Sequence, residues 1–269
     1  MRRSRANRTD PGGIVRAVMA LTVWLGALAA GEPTAPTVLF LIAEPEYQTA
    51  ATLPEFAARE LTTHGLRCLF ATEDPADPDD FVGLEALPTA DLLVVSVRRH
   101  APTRAHLALV RAHLAAGKPL IGIRTASHAF GLKPKDDRHE GWMTFDQDVL
   151  GGSYNGHYGD VPALLALAQG AATHPVMEGV DPSRLATQRL YKNATLAPTA
   201  TSLITGRSQG AMADQHVAWV NQVGQSRIFY TSLGMAEDFT KPDFRRLLAN
   251  AVFWTLGRSP LSEPLPPKR

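Results

Sequence analysis

Five consecutive residues, Arg124-Thr125-Ala126-Ser127-His128, put a fixed cation, two hydroxyls and an imidazole at one point of the chain. They follow a short apolar run, Leu120 to Ile123, introduced by Gly117 and Pro119, which reads as a strand buried on both faces. The carboxyl end of such a strand is where open α/β sheets bind ligands. An arginine there could polarise a carbonyl or hold an anionic intermediate, and a histidine transfers protons near neutral pH. His157 supplies a second imidazole, and Glu46 or Asp146 could orient an imidazole or act alone. Arg98 is a second cation of the same kind as Arg124, and His128, His157, Arg124 and Asp146 are the catalytic candidates. Two plainer alternatives stand beside this one. Ser127 and His128 could only cap the next helix, and the arginines could only hold loops through ion pairs with Glu46 and Asp146.

The elements that must position these residues follow from hydrophobic patterning. Thr37–Ile42, Leu66–Ala71, Asp91–Val97 and Leu120–Ile123 are short, mostly apolar runs. Between the first two, Thr52 and Glu55 have capping-box spacing at the start of a helix that Gly65 would close. Between the third and fourth, Thr103 would cap a helix with Leu107, Val110 and Leu114 inward, ending at Gly117. Strand and helix alternating over short links predict a parallel sheet covered on both faces. Right-handed crossovers then bring the post-strand loops carrying Glu46, Arg98 and Arg124 to one edge. Thr72–Asp80 reads as an acidic, proline-rich loop. Leu132–Asp160 loses periodicity and mixes charges, glycines and aromatics, the composition of a functional or mobile loop. Further strands are expected at Val161–Ala168, Thr201–Thr205, Val217–Asn221 and Arg227–Ser232, with a last helix from Pro242 to Gly257.

The first 29 residues are set apart. Five arginines precede the apolar stretch Ala17–Leu28, and Ala27-Leu28-Ala29 has peptidase-site spacing, which predicts an exported protein cleaved near Ala29. The stretch is short for a membrane span, so no stable span is expected after cleavage. The leader holds five Arg and one Asp, so its removal takes the formal charge from +1 to −3 and leaves no basic patch for nucleic acid. The single cysteine, Cys68, permits no internal disulfide and sits in an apolar run, as an inert thiol would. A domain over residues 37–257 and a frayed tail over 258–269 complete the organisation, with homo-oligomerisation left open.

Several motifs occur in one order: Glu46-Tyr47 before Thr52-Leu53-Pro54, Ser96-Val97-Arg98-Arg99, Gly122-Ile-Arg-Thr-Ala-Ser-His-Ala-Phe130, and Gly156-His157-Tyr158-Gly159. His174-Pro175, Val217-Ala-Trp219, and Phe229-Tyr-Thr-Ser-Leu-Gly234 leading to Asp238-Phe239 follow. Over residues 37–257 the chain resembles secreted ThuA-like proteins, named for trehalose utilisation. The resemblance implies an α/β fold with a flavodoxin-like, class I glutamine amidotransferase-like parallel sheet flanked by helices. It also implies metabolism of disaccharides or their 3-keto derivatives. In class I amidotransferases the corresponding strand ends Gly-x-Cys-x-Gly with a nucleophilic cysteine. Arg124 stands at that position here, which argues against glutaminase chemistry. Relatives often carry a histidine where this chain has Met235, after the Ser-Leu-Gly turn.

On a saccharide, Trp142 and Tyr158 could stack against the ring while Glu46, Tyr47, Arg98, Arg99, Thr125 and Ser127 bind it. Acid/base chemistry of a hydrolase, lyase or isomerase type is the leading expectation, with no cofactor. A zinc-dependent sugar enzyme is an alternative, with His128, His157 and a carboxylate as ligands. A non-catalytic carbohydrate-binding or accessory protein is another. A Ser–His hydrolase built on Ser127 and His128 is disfavoured, because adjacent helical residues point about 100° apart and no G-x-S-x-G elbow is present.

Overall fold

The strand β1 (Thr37–Ala43) is buried along its whole length because both faces are covered. Val38, Phe40 and Ile42 enter one apolar cluster, and Leu39 and Leu41 enter another on the opposite face. The computed structural model describes residues 35–185 and 187–260. The expected leader of residues 1–29 and the tail beyond 260 lie outside them.

After β1 come α1 (Thr49–Phe56), β2 (Arg67–Asp74), β3 (Asp77–Val82) and β4 (Leu92–Val97). Next are α2 (Arg104–Ala115), β5 (Leu120–Ile123), β6 (Ala163–Leu167), β7 (Thr201–Ser208), β8 (Gln215–Val223), β9 (Ser226–Thr231) and α3 (Pro242–Thr255). The nine strands form one sheet in the order β3-β2-β1-β4-β5-β9-β8-β7-β6. Pairs β2–β1, β1–β4, β4–β5 and β5–β9 are parallel, the flavodoxin-type core order with its switch point between β1 and β4. Helices α1 and α3 supply one core cluster, with Leu53, Phe56, Phe244, Leu247 and Leu248, while Leu107 and Val110 of α2 supply the other.

The structure differs from the sequence expectation in four places. The sheet is mixed, because β9–β8, β8–β7 and β7–β6 pair antiparallel. A short turn through Gly224, at φ 56°, joins β8 to β9 and leaves no room for the crossover that a parallel pair requires. The acidic Thr72–Asp80 stretch is the β2–β3 hairpin rather than a loop. Its acids are engaged from outside by Lys135, which pairs with Asp77 and Asp79, and by His106, whose Nδ1 lies 2.5 Å from Asp80. Helix α1 begins at Thr49, not behind a Thr52–Glu55 capping box. Buried Glu44 takes over that function by accepting Thr49 N–H at 3.0 Å, a carboxylate at the positive end of the helix. The expected strand at Val161–Ala168 is the shorter β6.

The expected cap at Thr103 is present, its side chain accepting from His106 N–H, and Gly65 ends the first helical stretch at φ 78°. Cys68 is half-buried on β2, and burial raises its thiol pKa. No described helix is long and apolar enough to cross a membrane.

Candidate functional site

Three post-strand bends meet at the carboxyl edge of the sheet. The bend after β1 carries Glu44, Glu46 and Tyr47. The carboxylate of Glu44 is folded inward, accepting Tyr47 N–H at 2.8 Å and the Thr49 hydroxyl at 2.5 Å, which fixes the loop. The bend after β4 carries Arg98, whose Nε lies 3.1 Å from Glu46 Oε2. The bend after β5 carries Arg124, whose guanidinium carbon sits 4.2 Å from the centre of the Tyr47 ring. Glu46, Arg98 and Arg124 therefore share one corner of the molecule.

Arg124 is 1% exposed and adopts φ 44°, a left-handed conformation that costs a non-glycine residue about 1–2 kcal/mol. Tyr47 covers one side of its guanidinium and Tyr191, at 4.8 Å, provides a second cation–π contact. Nη1 donates to Ser232 O at 2.7 Å, while Nε and Nη2 have no partner among the described residues. The backbone at Arg124 is pinned by the fully buried Tyr230, whose hydroxyl donates to Arg124 O at 2.7 Å. Tyr230→Phe should remove the shorter of the two hydrogen bonds to that carbonyl, leaving Ser127 Oγ at 3.3 Å, and cost about 1 kcal/mol, read by chemical denaturation.

His128 lies one turn further on and is half-buried. Burial, then the cations Arg99 and Arg98, hold its pKa down to about 4, and Glu46 opposes them. Its ring packs 4.7 Å from Tyr154 and 6.3 Å from Tyr191. Ser127 Oγ lies 3.1 Å from His128 Nδ1 and 3.3 Å from Arg124 O. With Ser127 donating to that carbonyl, Nδ1 carries the imidazole proton and Nε2 the lone pair. Arg99 is exposed, and its main-chain N–H donates to His128 O at 3.1 Å. Thr125 is buried, with its hydroxyl unpartnered among the described residues.

The other sequence candidates lie elsewhere or have other work. Asp146 is buried and accepts Tyr154 N–H at 3.1 Å and Gln147 N–H at 2.9 Å, so it shapes the loop that presents Tyr154. Burial raises its pKa. Trp142 donates to Asp148 at 2.8 Å and lies under Arg111 of α2, away from the arginine cluster. Tyr158 packs against the α1–α3 core cluster and under Lys192. His157 is exposed, its Nδ1 2.7 Å from Tyr158 O, and its backbone bridges to Tyr191. No described contact joins its ring to His128. The three-ligand zinc set of His128, His157 and a carboxylate does not assemble: among the described residues no group of three His, Cys, Asp or Glu is placed to hold a metal ion.

Tyr154, Tyr191, Arg189 and Tyr230 are the participants that sequence reasoning missed. Arg189 pairs with Asp160 and lies 3.4 Å from Glu46, so Glu46 stands between two arginines. The segment bearing Tyr154 is held down by β8, where Trp219 Nε1 donates to Leu150 O at 2.6 Å and Asn221 Nδ2 to Val149 O at 3.0 Å. A Cβ at Gly152 would run into the Trp219 ring. Gly152→Ala should therefore cost about 1–3 kcal/mol and displace Tyr154, measured as a lowered Tm with altered tyrosine fluorescence.

A model of the ThuA family, described as trehalose utilisation, matches residues 38–255. Among solved structures, a ThuA-like protein from Bacteroides uniformis superposes with a TM-score of 0.61 at 16% identity, covering 87% of this chain and 97% of that one. One from Parabacteroides merdae gives 0.61 at 12% identity over 85% and 93%. The carbohydrate deacetylase Agd3 gives 0.56 at 15% identity over 83% of this chain and 32% of its own. No curated protein matches the sequence. The motif order, the sheet and the extent of the family match agree: the chain belongs to the ThuA family.

Proposed function

We propose that this is an exported protein that binds a disaccharide or keto-sugar derivative over the β1, β4 and β5 bends and transforms it by acid/base chemistry. The observation that carries the proposal is an uncharged imidazole, His128, held among aromatic rings and arginines. With its pKa near 4 the ring is unprotonated at neutral pH, so it is available to accept a proton, as a weaker base than an ordinary imidazole. Next to a keto group the reaction would run as follows. His128 Nε2 takes the α-proton, and the C–H electron pair shifts to make the enolate, whose charge gathers on the carbonyl oxygen. Arg98 and buried Arg124 stabilise that charge, Arg124 acting through a low-dielectric layer because Tyr47 and Tyr191 cover it. Tyr154, half-buried with its ring tilted against His128, offers aromatic surface for the sugar.

The carbohydrate class is supported by the family's description and by a carbohydrate deacetylase with the same fold. Glutaminase activity is not proposed, because the strained post-strand position holds Arg124 and Cys68 lies on β2. The test is to incubate the purified protein with ordinary and oxidised disaccharides and follow products by mass spectrometry. Consumption of the keto-disaccharide is expected. Binding of either sugar without any product would contradict the catalytic half and leave a carbohydrate-binding protein.

A further inference from the structure

Among the described residues, four non-glycines are held at positive φ: Gln48 at 60°, Arg99 at 55°, Arg124 at 44° and Arg189 at 52°. All four lie at the corner where the β1, β4 and β5 bends meet. Gln48 follows Tyr47, Arg189 reaches Glu46, and Arg99 hydrogen-bonds the main chain of His128. Backbone strain concentrated at one place is a mark of a site that needs its side chains aimed. Three of the four aimed side chains are guanidiniums.

Arg189 is matched by Asp160 and Glu46, but Arg99 and Arg124 have no carboxylate partner among the described residues. Glu46 is divided between Arg98 and Arg189, and Asp160 pairs with Arg189. The oxygens of Glu44 are taken by Thr49 and the Tyr47 main chain, and those of Asp146 by main-chain N–H groups. Arg99 forms no ion pair among the described residues, although it is exposed beside His128 and Tyr154 and both feel its charge. The proton transfer above uses His128, Arg98 and Arg124 and gives Arg99 nothing to do. At Arg99 itself the chemistry favours an acidic group over a sugar hydroxyl. Hydroxyl groups need acceptors as well as donors, whereas guanidinium only donates and its planar fork fits a carboxylate.

We infer that the saccharide recognised here carries a carboxylate, as in an aldonic or uronic acid, seated on the guanidinium of Arg99 beside His128. This deepens the saccharide site proposed above and rests on it. The experiment is calorimetric titration of the purified protein with gluconate, glucuronate and lactobionate, with glucose and lactose as neutral counterparts and glucose 6-phosphate as the phosphate arm. Arg99→Gln and Arg99→Gly are titrated alongside. At least one acid should bind roughly 10- to 100-fold more tightly than its neutral counterpart, and both variants should lose that preference. Arg99→Gly should melt no lower than the parent, because glycine relaxes the left-handed backbone. Equal affinity for acids and neutral sugars, or a preference that survives Arg99→Gln, overturns the inference while leaving the saccharide site standing. Tighter binding of the phosphate than of every acid overturns the carboxylate assignment. Failure of every sugar to bind overturns the site itself.

Discussion

Replacing Arg124 by methionine is expected to leave the protein folded and to lower turnover of a keto-disaccharide on the order of 10²-fold. Two facts set these opposite outcomes. The guanidinium is 1% exposed, has no carboxylate in ion-pair range among the described residues, and leaves two of its nitrogens unpartnered. A buried cation in that condition contributes little to stability, and an apolar side chain of similar volume often replaces it without loss. Methionine would keep most of the packing against Tyr47 and Tyr191. What it removes is a fixed positive charge in a low-dielectric layer next to the reacting groups. The check is kcat and KM beside circular dichroism and Tm. A folded variant with unchanged kcat would mean that the reaction does not use this charge.

The second large effect belongs to His128. His128→Asn should lower kcat by about 10²- to 10⁴-fold, the range for loss of a positioned general base. In the parent protein kcat/KM should fall on the acid side with a midpoint near pH 4, where His128 takes up its proton, not near the ordinary histidine value of about 6.5. The same depression affects stability. The unfolded chain binds a proton at His128 below about pH 6.5, while the folded protein refuses it until about pH 4. Stability from this group is thus fully present above pH 6.5 and is lost as the pH falls toward 4. Unfolding titrations at several pH values should show that slope in the parent and a flatter one in His128→Asn. An acid limb near the ordinary histidine value of about 6.5 in the rate profile would mean that His128 is not the working base.

The meeting of Glu46, Arg98 and Arg124 was legible because each ends an uninterrupted apolar run, and parallel strands with right-handed crossovers place such ends together. The hairpin of β2 and β3 was hidden because its strand residues are acids, and the Lys135 and His106 side chains that engage them come from distant sequence. The aromatic loop could be recognised as special, but its composition does not say which ring turns inward. Tyr154 packs on His128 because Asp146 fixes its main chain, while Tyr158, four residues later, turns to the other core. Tyr191 and Arg189 reach the site through a bridge between their segment and His157, a long-range pairing with no periodic signature. Glu44 looked like one acid among several, and its capping of α1 depends on a left-handed turn at Gln48.

The most direct measurement is a crystal structure of the protein soaked with an acidic disaccharide such as lactobionate. Ordered sugar density bounded by Tyr47, His128 and Tyr154, with the carboxylate against Arg99, is the predicted result. Sugar bound instead in the hollow of about 410 Å³ between Gln147 and Thr195, with the arginine rim empty at saturating ligand, would contradict the account.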